Sequence, residues 1–219
     1  MPHYYPVHLD LAGKLCVVVG GGPVAERKVC GLLESGARVR VVCIEATRKL
    51  RQLAAEGSIE LLCASYNPSY LDGASLVFAV TDQRRINEEI AADARAVNVL
   101  INRADAFASG DFIVPAVVRN GDLCLSVSTG GHQPLLTSRI AEELTGRFGP
   151  DYGEFVALLG KMREEIKARF GAPAAQRSAM KALILAELPL RSLLQSGDAV
   201  TALAEARRIV DDLDASSAA

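Results

Sequence analysis

The sequence predicts an α/β chain: a doubly wound, Rossmann-type parallel-sheet domain, then a small β-rich segment, then a helical domain. Three observations predict it. Apolar strand-like runs alternate with helix-period runs through the first half. A triple glycine follows the first apolar run and opens straight into a helical pattern. Beyond Pro134 the strand pattern stops, and amphipathic segments take over.

"LCVVVG" from Leu15 is a continuous apolar run, followed by a helical pattern over 24–35 and a second run, "RVRVVCI". A helix over "ATRKLRQLAAEG" leads to a strand "IELLCA", a loop "SYNPSYLDGA" and a strand "LVFAVT". A helix over "RRINEEIAADARA" then leads to a fifth strand, "VNVLIN". Strands apolar without alternation belong to a sheet buried on both faces, and their separation by helices makes the pairing parallel. After Asn102, "DFIVPAVVRNGDLCLSVST" reads as two strands joined at "RNGD", with Asn120-Gly121 as the turn dipeptide. The helical remainder comprises "LLTSRIAEELTGRF", "GEFVALLGKMREEIKARF", "SAMKALILAEL" and "DAVTALAEARRIVDDL". Gly146, Gly171, Pro173 and Pro189 punctuate it, and the tail "DASSAA" is expected to fray. The domains expected are 1–115, a nucleotide-binding domain; 116–133, a β-rich segment; and 134–219, a helical domain.

Composition bounds the function. Of 219 residues, 50% are hydrophobic and 23% charged, which suits a globular protein with a sizeable core. A net charge of −2 argues against nucleic acid as a partner. No basic-then-apolar leader opens the sequence and no apolar stretch is long enough to span a bilayer, so the expectation is a cytoplasmic protein with no membrane partner. The five cysteines are odd in number, include no CxxC pair and lie in apolar or helical stretches. They read as small core side chains, and no metal site is expected.

The glycine run carries the first chemistry. Gly20-Gly21-Gly22-Pro23-Val24-Ala25 fits G-x-G-x-x-G/A between a strand and a helix. Gly20 permits the tight turn, Gly22 leaves room for a pyrophosphate, and Ala25 lets helix and strand approach. The helix N-terminus then presents N–H groups and a positive dipole end to phosphates. About 20 residues on, where an acid would bond the ribose hydroxyls, stands Glu45. Its charge disfavours a 2′-phosphate, so NAD is the expected cofactor rather than NADP. Thr81 and Asp82 close the fourth strand and are candidates for the cofactor's riboses; either also suits a helix N-cap. "NRADAFASGDFIVP" then offers Asn102, Asp105 and Asp111 beyond the fifth strand. A carboxylate there is placed to take a proton from a substrate beside the nicotinamide, and chemistry alone does not choose between Asp105 and Asp111.

The strings "VVVGGGPVAERKVCGLLESGARVRVV", "VFAVTD…IN", "NRADAFASGDFIVPAVV" and "LSVSTGGHQP", with the helical remainder, resemble in order the precorrin-2 dehydrogenase family, the N-terminal module of siroheme synthases. The resemblance spans essentially the whole chain. It implies NAD-dependent oxidation of precorrin-2 to sirohydrochlorin and, in some members, insertion of ferrous iron as a second activity. It also implies a homodimer built through the β-rich segment. The family's N-x-x-D-A pattern selects Asp105 as the catalytic carboxylate, with Asn102 beside the substrate. Its serine-rich corner falls on Ser128, Thr129, Gly130 and Gly131, with Thr129 where a second serine is usual. Arg139 survives in the following helix, while Ser138 and Ala141 stand where basic residues are common, and His132 lies outside the pattern. Arg103, Arg119 and Arg139 are the nearest partners in sequence for the substrate's carboxylates. Two rival readings are a chelatase without oxidation and a non-catalytic ligand-sensing module. An intact glycine loop with Glu45 opposes the first, and the carboxylate and hydroxyl motifs oppose the second.

Overall fold

The computed structural model of the chain describes residues 4–106 and 109–217. Five parallel strands form the first sheet: β1 (Leu15–Val19), β2 (Arg38–Cys43), β3 (Glu60–Cys63), β4 (Ala74–Ala79) and β5 (Leu100–Arg103), in the order β3-β2-β1-β4-β5. Their side chains alternate between two helical layers. Cys16, Val18, Val39, Val41, Leu76 and Phe78 pack against α1 (Pro23–Glu34) and α2 (Arg48–Ala55). Val17, Val19, Val42, Val77 and Ile101 pack with Ile90, Ala91 and Ala94 of α3 (Arg84–Ala96). Both faces are covered, which is why the strands carry apolar residues at consecutive positions. The order reverses between β1 and β4, and in such sheets ligands gather at the strand C-termini at that reversal.

Local signals set the boundaries. Thr47 caps α2, its hydroxyl accepting the Leu50 N–H at 3.2 Å. The loop expected before β4 contains a short 3-10 turn, Pro68–Leu71, capped by Asn67. The fifth strand is shorter than "VNVLIN" suggests, because Asn98 ends α3 in the left-handed region with φ 56°. Val99 N–H then donates to Ala94 O and Asn98 N–H to Arg95 O, the double closure of a helix C-terminus. The residues before Leu100 thus satisfy the helix and are not free to pair as strand.

The chain divides into two compact units, the second beginning at Pro115. It opens with the antiparallel pair β6 (Ala116–Asn120) and β7 (Leu123–Val127), with Asn120 paired to Leu123. The turn therefore lies one residue beyond the expected dipeptide, on Gly121-Asp122. Gly121 has φ 56°, which suits glycine at the first central position of a two-residue hairpin. Asn120 ends its strand and spends its side-chain amide on the Phe148 carbonyl.

Then follow α4 (Pro134–Arg147), α5 (Pro150–Arg169), α6 (Pro173–Leu185), α7 (Glu187–Gln195) and α8 (Ala199–Ser217). Proline opens three of these helices, where its missing N–H costs nothing. The helix α7 is absent from the sequence reading, which treats Pro189 as a break. Pro189 lies in the first turn, before the first helical donor, the Leu190 N–H bonded to Ala186 O. The expected frayed tail is helical to Ser217, and 218–219 lie outside the described residues. Phe155, Leu158, Met162, Ile166, Leu183 and Leu190 centre the core of this unit. Arg191 of α7 is clamped to α5, donating to Asp151 through Nε at 2.7 Å, with its guanidinium 3.5 Å above the Tyr152 ring. The five cysteines are free thiols. Cys16 and Cys43 are buried as expected, whereas Cys63 is exposed on the edge strand β3.

Candidate active site

Three glycines in a row serve three different purposes. Gly20, at φ 133°, bends the chain off β1, and a Cβ there would lie 2.6 Å from the Val80 carbonyl oxygen. At Gly21 the obstacle is closer still: a Cβ would sit 1.9 Å from the Glu45 carbonyl oxygen and 2.8 Å from Cys43 Sγ. The Thr47 N–H also donates to the Gly21 carbonyl, so the loop after β2 is seated directly on the glycine run. Gly22 differs from both. Its φ is −84°, and beyond its immediate chain neighbours nothing lies within 4 Å of where a Cβ would be. Neither strain nor crowding requires glycine there; its effect is to leave open space in front of α1.

That space faces an unsatisfied helix end. No side chain caps α1, Pro23 occupies the first turn, and the first helical bond runs from Glu26 N–H to Gly22 O. The N–H groups of Val24 and Ala25 precede that bond and remain for a ligand. Glu45 stands exposed two residues beyond β2. An open cradle, uncapped donors and an exposed carboxylate after the second strand fit a dinucleotide's pyrophosphate and ribose. Lys28, one helical turn on, is half-buried with its ammonium 5.8 Å from the Phe78 ring centre. Burial, and then the neighbouring Arg27 charge, lower its pKa.

The next loop on this edge follows β4. Neither Thr81 nor Asp82 is the N-cap of α3; that position falls to Gln83. The Thr81 hydroxyl accepts the Gln83 N–H and donates to Asn87 Oδ1 at 2.7 Å, and the Asn87 amide returns a bond to the Thr81 carbonyl at 3.0 Å. Asn87 is fully buried. Sequence reasoning passes over this buried partner of Thr81, although it is the asparagine of the quoted "VTD…IN" string. Asp82 is exposed beside this knot.

The end of β5 separates the acidic candidates. Asn102, expected beside the substrate, is buried at 6% exposure and donates its side-chain amide to the Phe112 carbonyl at 2.8 Å. It anchors the returning loop. Asp111 is likewise structural: its carboxylate accepts the Ile101 N–H at 3.0 Å, extending the sheet edge. Asp105 remains. Its two oxygens accept from Arg103 Nε at 3.2 Å and Nη2 at 2.8 Å. The Arg103 bonds hold its carboxyl below the usual carboxylate range, outweighing the opposite effect of partial burial. Arg103, one of the three arginines near enough in sequence to meet a substrate carboxylate, thus spends Nε and Nη2 on Asp105.

In the second unit, Ser128, Thr129, Gly130 and Gly131 form one tight corner before α4. Both glycines have positive φ, and the Gly130 N–H donates to Ser128 Oγ at 3.0 Å. Thr129 Oγ1 accepts the Gln133 N–H at 3.1 Å and shares a bond with Thr137 Oγ1, so its hydroxyl is engaged in the corner itself. Ser128 is exposed and keeps its own hydroxyl proton for another partner. His132 is exposed in the same corner, Arg119 is exposed on β6, and Arg139 pairs at the surface with Glu143.

A family model described as NAD(P)-binding, NAD_binding_7, matches residues 7–116, half of the chain. The siroheme synthase of Chromobacterium violaceum is 35% identical over 202 residues, 92% of this chain and 43% of that protein. Siroheme synthase 3 of Aeromonas hydrophila is 35% identical over 199 residues, 91% of this chain and 42% of that protein. The chain thus spans less than half the length of these curated relatives. The solved structure of SirC, a precorrin-2 dehydrogenase, matches with a TM-score of 0.69 at 24% identity, covering 96% of this chain and 99% of that one. The two share a fold. With a glycine cradle built for a dinucleotide and a match running from residue 7 to residue 116, the chain belongs to the NAD(P)-binding family NAD_binding_7.

Proposed function

We propose that this chain is an NAD-dependent dehydrogenase that oxidises precorrin-2 to sirohydrochlorin. One observation carries the reading: along one edge of a single sheet, the open, uncapped cradle at Gly22 is accompanied by a fixed carboxylate, Asp105. The pair matches what an oxidation by hydride removal needs, a place for the dinucleotide and an acceptor for the accompanying proton. Among possible substrates, the siroheme synthase relatives and the likeness to SirC favour precorrin-2.

NAD, when bound, supplies the hydride acceptor. The residues of the chain do the rest. Gly22 leaves the pyrophosphate its room, and the Val24 and Ala25 N–H groups hold it. Glu45 accepts from the adenosine ribose hydroxyls and repels a 2′-phosphate. Thr81, locked by Asn87, fixes the loop after β4. Asp105, ionised at neutral pH, takes the proton shed by the substrate and, being a weak base, gives it up readily to water. The Ser128–Gly131 corner and Arg139 are assigned to substrate. The same carboxylate would serve a second activity, insertion of ferrous iron, by receiving pyrrole protons.

The proposed assembly is a homodimer through the second unit. The helix α4 buries none of its residues within the chain, Leu135 is 87% exposed on it, and Val117 of β6 is 47% exposed. Two short strands with open edges call for a partner strand or sheet. Five free thiols fit a cytoplasmic address, and among the described residues no helix is long and apolar enough to cross a membrane.

The test is anaerobic. Purified protein given NAD and precorrin-2 is expected to form reduced nicotinamide, read by its absorbance. Asp105→Ala is expected to keep its NAD affinity and lose about 10²–10⁴ in rate. A wild-type protein that metallates sirohydrochlorin but forms no reduced nicotinamide from precorrin-2 would refute the proposal in favour of a chelatase.

A further inference from the structure

Successive residues of a strand point to opposite faces. At the end of β5 this sends Asn102 and Arg103 to different layers, and Arg103 joins α3. Arg103 is buried, at 4% exposure. A cation so placed requires a hydrogen-bonded counter-charge. Its partner is only two residues away: Asp105 accepts with both oxygens, at 3.2 and 2.8 Å, in the forked geometry that fixes a carboxylate's plane as well as its position. The arginine side chain is 5% exposed and the aspartate side chain 25%, so the cation is the anchor and the carboxylate the accessible end.

The other groups around the pair come from α3. Glu88 lies 3.9 Å from Arg103 Nη2, and its nearer partner is Arg84 at 3.0 Å. Asn87 is held by Thr81 and adds a smaller preference for charged Asp105. Arg103 is thus the only cation among the described residues that pairs with Asp105. Asp111 and Phe112 are held by separate bonds, to the Ile101 N–H and from the Asn102 amide, and neither bond involves the fork.

We propose that Arg103 is a positioning residue for Asp105, its buried guanidinium turning the carboxylate to a single orientation at the end of β5 for proton transfer. The inference rests on the proposed role of Asp105 and adds a means of control. Without the fork, Asp105 would keep its partial burial and lose its counter-charge. It would then bind a proton at higher pH and lose its fixed plane.

The experiment compares the wild type with Arg103→Met and Arg103→Lys. NAD affinity by calorimetry reports the fold of the glycine loop and is expected to stay within about threefold of wild type. Carbon-detected titration of Asp105, assigned by comparison with Asp105→Asn, is expected below the ordinary carboxylate range in the wild type. In Arg103→Met it should move up by about one pH unit or more. For precorrin-2 oxidation, kcat should fall about tenfold or more in Arg103→Met with KM little changed, and the acid limb of the profile should follow the titration. Arg103→Lys restores a charge without the fork, so it should recover the pH profile and only part of the rate. An Asp105 titration identical in wild type and Arg103→Met, or an unchanged kcat, would overturn the inference. Should the wild type not oxidise precorrin-2 at all, the proposed function fails, and the titration alone decides whether Arg103 governs Asp105. If Arg103→Met does not fold, the wild-type value decides: at or above the ordinary range it refutes the inference, and below it supports it.

Discussion

Replacing Gly22 by aspartate should separate stability from cofactor binding, because the two make opposite demands on that position. With φ −84° and nothing beyond its chain neighbours within 4 Å of a Cβ, the position imposes neither backbone strain nor a Cβ clash on a side chain. Gly22 is the N-cap of a helix with no side-chain cap. Aspartate is the better cap by a few tenths of a kcal/mol, and its charge at the positive helix end adds about 0.3–1 kcal/mol. Apo Gly22→Asp should therefore melt at the wild-type temperature or about 1–4 °C above it. A bound pyrophosphate would meet a carboxylate where it needs donors. At about 4 Å and an effective dielectric near 20, one charge pair costs about 4 kcal/mol. Even half of that is about a thirtyfold loss of affinity, and the whole is close to a thousandfold. Thermal melts of the apo protein and calorimetry with NAD measure the two sides. Wild-type NAD affinity would refute the cradle, and a destabilisation beyond about 1 kcal/mol would refute the claim that Gly22 is free of structural duty.

Gly21→Ala is the converse experiment, since its Cβ would strike the Glu45 carbonyl oxygen at 1.9 Å. It should destabilise the first unit by about 3 kcal/mol or more in chemical denaturation. Glu45→Ala should weaken NAD by about 1–3 kcal/mol and admit NADP, whose extra phosphate would find Arg48 and Lys49 exposed at the start of α2; calorimetry with both cofactors checks this. Asp111→Ala removes the acceptor of the Ile101 N–H and should cost about 1–3 kcal/mol of stability while NAD affinity holds, in contrast to Asp105→Ala, whose loss should appear in rate. In the second unit, the Tyr152 and Arg191 hydrogen bonds hold Glu187 below its ordinary pKa, and Arg191 does the same for Asp151 against the opposing effect of burial. Depressed carboxylates stabilise above their unfolded pKa and lose that contribution as pH falls through the folded value. Arg191→Met should accordingly lower the melting temperature of this unit at neutral pH and make much less difference near pH 3.

How much of this was legible in the sequence depends on the range over which each residue's role is decided. The α/β order and the position of the cradle follow from local facts: apolar runs of strand length, helix-period runs between them, and a glycine triplet at one junction. Proline at the start of α1, α4, α5 and α6 is equally local. The helix α7 escaped because a proline mid-sequence looks like a break, and only the helix start at Glu187 places Pro189 where its missing N–H is harmless. The hairpin turn escaped by one residue, since register is set by the pairing of Asn120 with Leu123 and not by the dipeptide alone.

The site shows the same division. That a carboxylate follows the fifth strand could be read directly; chemistry alone left Asp105 and Asp111 open, and only the resemblance to a family pattern selected Asp105. Which one is tied up in the sheet edge depends on a loop folding back against Ile101, a contact across ten residues. That Arg103 and Asn87 are buried is not marked in sequence, because an arginine near an aspartate is usually a surface charge and a helical asparagine is usually exposed. Their importance arises only when α3, which carries Asn87, packs on the sheet beside Arg103 and removes the water that would otherwise screen them. Likewise, the triplet reads as three equivalent glycines until the loop after β2 closes on Gly21 and leaves Gly22 open. Sequence by itself determined which groups are present and the edge of the sheet they reach. Tertiary packing decided which are used up holding the structure and which remain for a ligand, because that depends on partners distant in the chain and on the exclusion of water.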